Sequence, residues 1–388
     1  MKTILISVYL GLVLLIIGCS KPPKRNPFDK GTQETIHVSH IDCVHSDSVI
    51  KAIHFLPLES NDTCLITRVE DIKLNDSLIF IDDNRYRILV FDMSGKFLYQ
   101  IGNRGQGPEE YLEIRDFLIH QDTIEILDYQ KIEYYSINGK HLLRKRLNLS
   151  KKKGEYVPRY FAKAPANGYY FWEKRIREKE ENGQILHYMY QTDSNFHIVR
   201  HEFPAIHKVS TNLRKFIPYD NKVILDPIFA DANIYQIDSV GQISIRYSFD
   251  FGDKTVTPED LLNLSTDQLI EMADTHILKY MDFAETNHWV HLSFYWKKLA
   301  YNLFYNKLEK KAYLLSPGRK YAKDNDLRFW YVQTTYKDQM VYCIDPVWLL
   351  GERDRLSKEY QDKYGLNEGK LKNVTENSNF IVGFYTLK

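Results

Sequence analysis

The sequence predicts an all-β fold: a six-bladed β-propeller closed by pairing of its N- and C-terminal strands, with small helical insertions. Three observations carry this. Hairpin-centred units of short strands recur about every 40–50 residues, the pattern of propeller blades. Aromatic content is high, with 28 Tyr and 20 Phe among 388 residues, and such side chains suit a pleated, half-buried surface. The chain opens on an unpaired strand and closes on a unit short of one strand. The two ends therefore complete one blade together and hide both edges. One or two large β-sandwiches would also show many short strands, but the complementary ends favour a ring.

The first residues lie outside the fold. Lys2 supplies a positive start, and Ile4 to Ile17 is almost unbroken apolar sequence, shorter than the about 20 residues that span a bilayer. The run ends in Ile16-Ile17-Gly18-Cys19, which resembles the bacterial lipobox. Residues 1–18 are expected to be a cleaved signal peptide and Cys19 the lipidated residue. The residue after Cys19 is Ser20, not the aspartate that retains lipoproteins in the inner membrane. An outer-membrane lipoprotein is therefore expected, held to the membrane through Cys19 and facing the periplasm, with surface exposure as the alternative. Residues 19–36, with Pro22, Pro23 and Pro27, read as a tether, and residues 37–388 as the propeller domain.

Composition excludes several classes. Hydrophobic residues at 44% and charged residues at 27% mark a folded globular chain. Without Lys2, 51 basic residues face 51 acidic ones. That balance argues against a nucleic-acid partner, which needs a basic surface. Cys43, Cys64 and Cys343 remain after Cys19. An odd count leaves at least one thiol unpaired within the chain, and whether Cys43 and Cys64 pair stays open. No CxxC occurs, so neither a zinc nor a redox motif is supported.

The elements follow in order. Val49 to Leu56 is one strand, halted by Pro57. Ser77 to Asp82, Arg87 to Asp92 and Lys96 to Ile101 form the first unit, with Asp92-Met93-Ser94-Gly95 as a hairpin turn. Ile114 to Ile119, Thr123 to Leu127, Ile132 to Ser136 and His141 to Leu147 form the second. Tyr160 to Lys163, Tyr169 to Trp172, Leu186 to Thr192 and Phe196 to Phe203 form the third. Val223 to Leu225, Asn233 to Asp238 and Gln242 to Phe249 form the fourth. Trp289 to Trp296, Leu299 to Tyr305 and Lys311 to Leu315 form the fifth. Leu327 to Thr335, Met340 to Ile344 and Phe380 to Leu387 form the sixth. Two segments break the pattern. Thr257-Pro258-Glu259-Asp260 reads as a helix start with Thr257 as cap, and Glu352 to Tyr364 is charged and helical in period.

Between the first two units lies Ile101-Gly102-Asn103-Arg104-Gly105-Gln106-Gly107-Pro108-Glu109-Glu110-Tyr111. With Phe91 to Leu98 before it and Ile114 to Phe117 after it, this string resembles the six-bladed β-propeller lipoproteins of Gram-negative gut anaerobes, relatives of NHL-repeat propellers. Ile53 to Glu59 resembles that family's N-terminal strand. Glu376 to Tyr385 resembles its C-terminal strand, with Phe380 where a proline is usual. The resemblance implies the six blades and the lipid anchor, and no settled activity.

The string is also the leading ligand-site candidate. Arg104 suits a carboxylate or phosphate; Glu109 and Glu110 suit a cation or sugar hydroxyls; Gln106 and Tyr111 complete the set. The structural reading of the same residues is a rigid crossover set by glycine and proline. Among acidic residues, Asp82, Asp83, Asp116, Asp128, Asp226 and Asp231 end or follow strands, where a channel could gather several and bind calcium. Most are expected to cap turns. Trp172, Trp289, Trp296, Trp330 and Trp348 offer a sugar platform or, more commonly, inter-blade packing. No catalytic motif stands out. The expected function is binding of a protein, peptide or glycan. A metal-dependent hydrolase or lyase is the alternative, and a structural envelope component a third possibility.

Overall fold

The computed structural model describes residues 32–38, 42–149, 157–173, 187–204, 215–226, 228–315 and 332–388. Six sheets follow one another along the chain, each an up-and-down meander. Their first strands are Val69–Leu74, Asp116–His120, Tyr160–Lys163, Phe216–Tyr219, Lys279–Glu285 and Thr334–Tyr336. First strands of adjoining sheets touch, as in blades 2 and 3, 3 and 4, 5 and 6, and 6 and 1. These six strands therefore ring a central channel, and each blade runs outward from it.

The ends close the ring as the sequence predicts. Ile50–Pro57 pairs antiparallel with Ile381–Leu387, with Leu56 opposite Val382. Asn379, just before the closing strand, is buried. Its Oδ1 accepts from Ile66 N at 3.1 Å, and its Nδ2 donates to the carbonyls of Glu59 and Cys64 at 2.9 Å. The motif that resembles the family's C-terminal signature is thus a clamp on the closure.

The N-terminal chain does more than close blade 6. Thr32–His37 adds in parallel to Ile243–Asp250, the outer strand of blade 4. Cys43–Val44 adds in parallel to Lys311–Leu315, the outer strand of blade 5. The first of these falls largely within residues 19–36, read from sequence as tether. An outer strand exposes a row of unpaired N–H and C=O groups that captures an extended chain, and burial of Ile36 and Val38 pins it there.

Apolar clusters fill the junctions between blades. Phe80, Val90, Phe117, Ile126 and Tyr135 pack between blades 1 and 2; Leu56, Ile79, Leu89, Val341 and Val382 pack between blades 6 and 1. Hairpin turns repeat as expected. Asp92 Oδ1 accepts from Ser94 N and Lys96 N, Asp193 Oδ1 from Asn195 N and His197 N, and Asp238 Oδ1 from Val240 N and Gln242 N. At Gly95, with φ of +83°, a Cβ would lie 2.4 Å from the Pro57 carbonyl oxygen. Glycine there lets the turn of blade 1 press against the N-terminal strand.

The helical insertions are Pro258–Asn263 (α1) and Thr266–Glu271 (α2), between blades 4 and 5, and Pro346–Arg355 (α3) and Lys358–Lys363 (α4), inside blade 6. Thr257 caps α1 as predicted: its Oγ1 accepts from Asp260 N, and Asp260 Oδ2 accepts from Thr257 N at 2.8 Å. Cys43 is exposed, Cys64 and Cys343 are more enclosed, and all three are free thiols.

Candidate functional site

The channel mouth is built from the beginnings of the inner strands. The residue just before the inner strand is Arg68 in blade 1, Arg115 in blade 2, Arg159 in blade 3, Lys215 in blade 4 and Gln333 in blade 6. Acidic residues follow at or just beyond the strand starts: Asp71, Asp116 and, in blade 5, Asp282. Asp82, on the second strand of blade 1, pairs in register with Asp71. Together they line a cavity of about 360 Å³. Basic groups thus sit at the outermost layer and carboxyls a residue or more further along the channel.

One lysine ties the site together. Lys73 Nζ lies 3.1 Å from Asp71 Oδ2 and 3.0 Å from Asp116 Oδ1, and donates to the Phe117 carbonyl. It sits 4.3 Å from the Phe117 ring centroid. Asp116 Oδ2 accepts from Phe161 N at 3.1 Å, which links blades 1, 2 and 3. From blade 4, Lys215 reaches Asp71 at 3.5 Å and donates to the Gln333 carbonyl of blade 6. Burial opposes charge on Asp71, but Lys73 and Lys215 outweigh it and hold its carboxyl below the usual range. Burial likewise works against the Lys73 ammonium, which Asp116 and Asp71 nevertheless raise above the usual lysine range. Asp116 is pushed up by burial against the pull of Lys73.

Asp82 is different. It is 6% exposed and lines the cavity. Among the described residues, no hydrogen bond or ion pair reaches its carboxyl. Burial first, then the Asp71 and Glu70 carboxylates, push its pKa up to about 9, against the pull of Lys73. Arg159 shows the converse: its guanidinium bonds the Tyr160 side chain, but its Nε is buried and, among the described residues, has no acceptor.

The other acidic candidates are structural. Asp83 holds Arg87, with Nε at 2.9 Å. Asp128 accepts from Leu112 N at 3.0 Å and pairs with Lys131 at 3.1 Å. Asp231 takes Asn233 N at 3.0 Å and the Tyr235 hydroxyl at 2.7 Å. Asp226 accepts from Phe283 N at 3.1 Å across the blade 4–5 junction. For calcium the arrangement is poor. Lysines and arginines interleave the channel carboxylates, and among the described residues no three His, Cys, Asp or Glu side chains form a metal-holding group.

The crossover at Ile101 to Tyr111 joins the outer strand of blade 1 to the inner strand of blade 2. Its interior is heavily bonded. Glu110 Oε2 accepts from Gly107 N at 2.8 Å. Arg144 donates to the carbonyls of Gly107 and Glu110, and the Tyr135 hydroxyl donates to the Glu109 carbonyl at 2.7 Å. Tyr111 is fully buried, and its hydroxyl donates to the Ile101 carbonyl at 3.1 Å. Gly102 has φ of +57°, and a Cβ there would lie 2.6 Å from the Tyr135 hydroxyl. Arg104 Nε donates to the Leu112 carbonyl at 3.1 Å, and its guanidinium covers the Tyr86 ring at 4.6 Å. Gln106 and Glu109 are exposed. None of these five candidates lines the channel cavity. Nor does any described tryptophan, since Trp172 and Trp289 are buried between blades; Trp330 lies outside the described residues, as does Cys19.

A family model described as 6-bladed beta-propeller matches residues 25–343. The chain belongs to this family. Among solved structures, the propeller is similar to a protein of Bacteroides fragilis NCTC 9343 inferred to be exported, at 21% identity and a TM-score of 0.71, over 91% of this chain and 99% of that one. It is more distantly similar to the WD40 domain of Neurospora crassa Pan2, at 10% identity and a TM-score of 0.36, over 71% of this chain and 74% of that one. None of the curated proteins matches the chain significantly.

Sequence reasoning names Asp82 and Asp116 but misses Asp71, Lys73, Arg159, Lys215 and Asp282. A signal for several was present: a basic residue stands immediately before the inner strand in each of blades 1 to 4.

Proposed function

We propose that the protein is an exported, lipid-anchored binding module that engages a protein, peptide or glycan partner at the mouth of its channel. The observation that carries this is the convergence of polar and charged side chains from all six blades on one cavity of about 360 Å³. That volume is within the range of sites that hold small ligands or the end of a larger one. Export and anchoring rest on the Ile16-Ile17-Gly18-Cys19 sequence, and the inferred export of the B. fragilis relative agrees with it. Among the described residues, no helix is long and apolar enough to cross a membrane. The donor set gives the metal-dependent hydrolase or lyase no comparable support.

Two measurements test the proposal. Cys19→Ala is expected to move the protein from the membrane fraction to the soluble extract, and persistence in the membrane would defeat the anchor. For the channel, the full chain purified in detergent is screened by thermal melting against short peptides, oligogalacturonates and calcium. At least one organic probe is expected to raise Tm by a few degrees, through preferential binding to the native state. Arg159→Ala, at the cavity wall, is expected to abolish that rise. A response that survives Arg159→Ala, or no response to any organic probe, counts against the channel mouth.

A further inference from the structure

Two polar groups at the cavity have no hydrogen-bond partner among the described residues, and they are of opposite kind: the Asp82 carboxyl and the buried Nε of Arg159. Native proteins satisfy nearly all of their buried hydrogen-bonding groups. A buried guanidinium nitrogen without an acceptor, at the same cavity as a carboxyl that burial keeps from ionising, is costly to the folded chain. The remaining charges are already engaged: Lys73 with Asp71 and Asp116, Arg68 with Glu70, and Arg115 with Glu113. Arg159 already bonds the Tyr160 side chain, so a ligand meets the Asp82 carboxyl and the Arg159 Nε as the open positions among the described residues. The layering gives them an order along the channel. Arg159 precedes the inner strand of blade 3, at the outer layer. Asp82 is the partner of Asp71, three residues inward from Arg68.

We propose that the channel mouth binds a small zwitterion of the amino-acid or short-peptide class, with Asp82 receiving its ammonium and Arg159 its carboxylate. This rests on the channel mouth being the binding site. A lone anion would engage Arg159 and leave Asp82 in its neutral, protonated form, and a lone cation would ionise Asp82 but leave Arg159 Nε without an acceptor. A neutral sugar calls for an aromatic face to stack on. The two rings that line the cavity are Phe117, fully buried beneath Lys73, and Tyr160, itself half-buried.

The protonation of Asp82 supplies a distinctive signature. Within blade 1 it faces Asp71, Glu70, Asp83 and Lys73. Across the cavity lie Arg115 and Asp116 of blade 2, Arg159 of blade 3, Lys215 of blade 4 and Asp282 of blade 5. In the free protein at pH 7 its carboxyl holds a proton. An arriving ammonium favours the ionised form, so binding releases that proton to the buffer.

The test is calorimetric titration of the full chain in detergent with Ala-Ala, N-acetyl-Ala-Ala, Ala-Ala-amide and galacturonate. Ala-Ala is expected to bind. Acetylation or amidation is expected to weaken it about ten-fold or more, the scale of one lost charge-assisted hydrogen bond. Asp82→Asn is expected to weaken Ala-Ala by a similar factor and leave N-acetyl-Ala-Ala unchanged. Arg159→Gln is expected to weaken Ala-Ala and leave the amide unchanged, which a double-mutant cycle separates from general damage. Titrations in two buffers of different ionisation enthalpy are expected to show release of about one proton at pH 7. Ala-Ala binding without proton release, or undiminished in Asp82→Asn, overturns the assignment of the ammonium. Binding of galacturonate alone, lost in Arg159→Gln, overturns the zwitterion and keeps the channel reading. Failure of every probe overturns both.

Discussion

Lys73→Met is expected to destabilise the propeller by about 3 kcal/mol at pH 7, in the range found when a buried ion pair loses one partner. Methionine keeps most of the apolar stem over the Phe117 ring and removes the cation. Asp116 and Asp71, 5% and 19% exposed at their side chains, then lose the ammonium that joins them. Among the described residues, Lys215 then remains paired with Asp71, at 3.5 Å. The sign of the pH dependence follows from Asp71, whose folded pKa is depressed. Its stabilisation is present above the ordinary aspartate value and lost as pH falls through the folded value. In the variant that pKa rises, so the deficit against the parent narrows as pH is lowered from 7 towards 4. Denaturant melts at both pH values measure this. A loss under about 1 kcal/mol, the scale of an exposed pair, would show that Lys73 is no strut. Adding Asp116→Asn to Lys73→Met is expected to recover part of the loss.

Asp82→Asn is expected to act in the opposite direction and stabilise the free protein, by on the order of 2 kcal/mol at pH 7. The raised pKa of about 9 means that the native state keeps a proton that the unfolded chain releases near 3.8. Between those values stability falls as pH rises, because folding must take that proton up. Asparagine has no such proton to take up and stays neutral in both states. The gain over the parent should therefore grow from pH 5 to pH 8, read as Tm across the series. A variant less stable than the parent at pH 8 would mean that Asp82 is held by an interaction that favours its ionised form. A substitution that stabilises the fold while weakening ligand binding is the usual mark of a residue kept for function.

The blades were legible wherever a strand packs on both faces. Leu78–Asp83, Arg87–Asp92, Trp289–Trp296 and Leu299–Asn306 bury most of their side chains and read as apolar runs. Hairpin turns were legible from Asp, Asn and Gly at positions that need an Asx turn or positive φ. The inner strands Val69–Leu74, Phe216–Tyr219 and Lys279–Glu285 were not identified. Val69–Leu74 carries Glu70, Asp71 and Lys73, and Lys279–Glu285 carries Lys279 and Asp282, so both lack the apolar pattern by which strands are read; Phe216–Tyr219 is short and holds Pro218, which argues against a strand. These strands bring Asp71, Lys73 and Asp282 to the channel, whereas Asp82, Asp116 and Arg159 stand on or next to strands that the sequence shows. The Gly-rich crossover drew attention because glycine and proline are conspicuous in a sequence. The Arg104 to Tyr111 loop holds its backbone and its Glu110 carboxylate in bonds of its own and of blade 2.

Sequence alone determined the all-β class, the six units, the closure of one blade by both chain ends and the capped helix at Thr257, since each depends on neighbours in the chain or on a repeating period. It could not determine which charges meet. Asp71, Asp82, Asp116, Arg159, Lys215 and Asp282 are drawn from five blades, and only closure of the ring brings them to one cavity. Lys73 lies 43 residues from Asp116, and no local pattern joins them. Their pairing, and the open Asp82 carboxyl and Arg159 Nε, are products of burial around a channel that exists only in the folded ring.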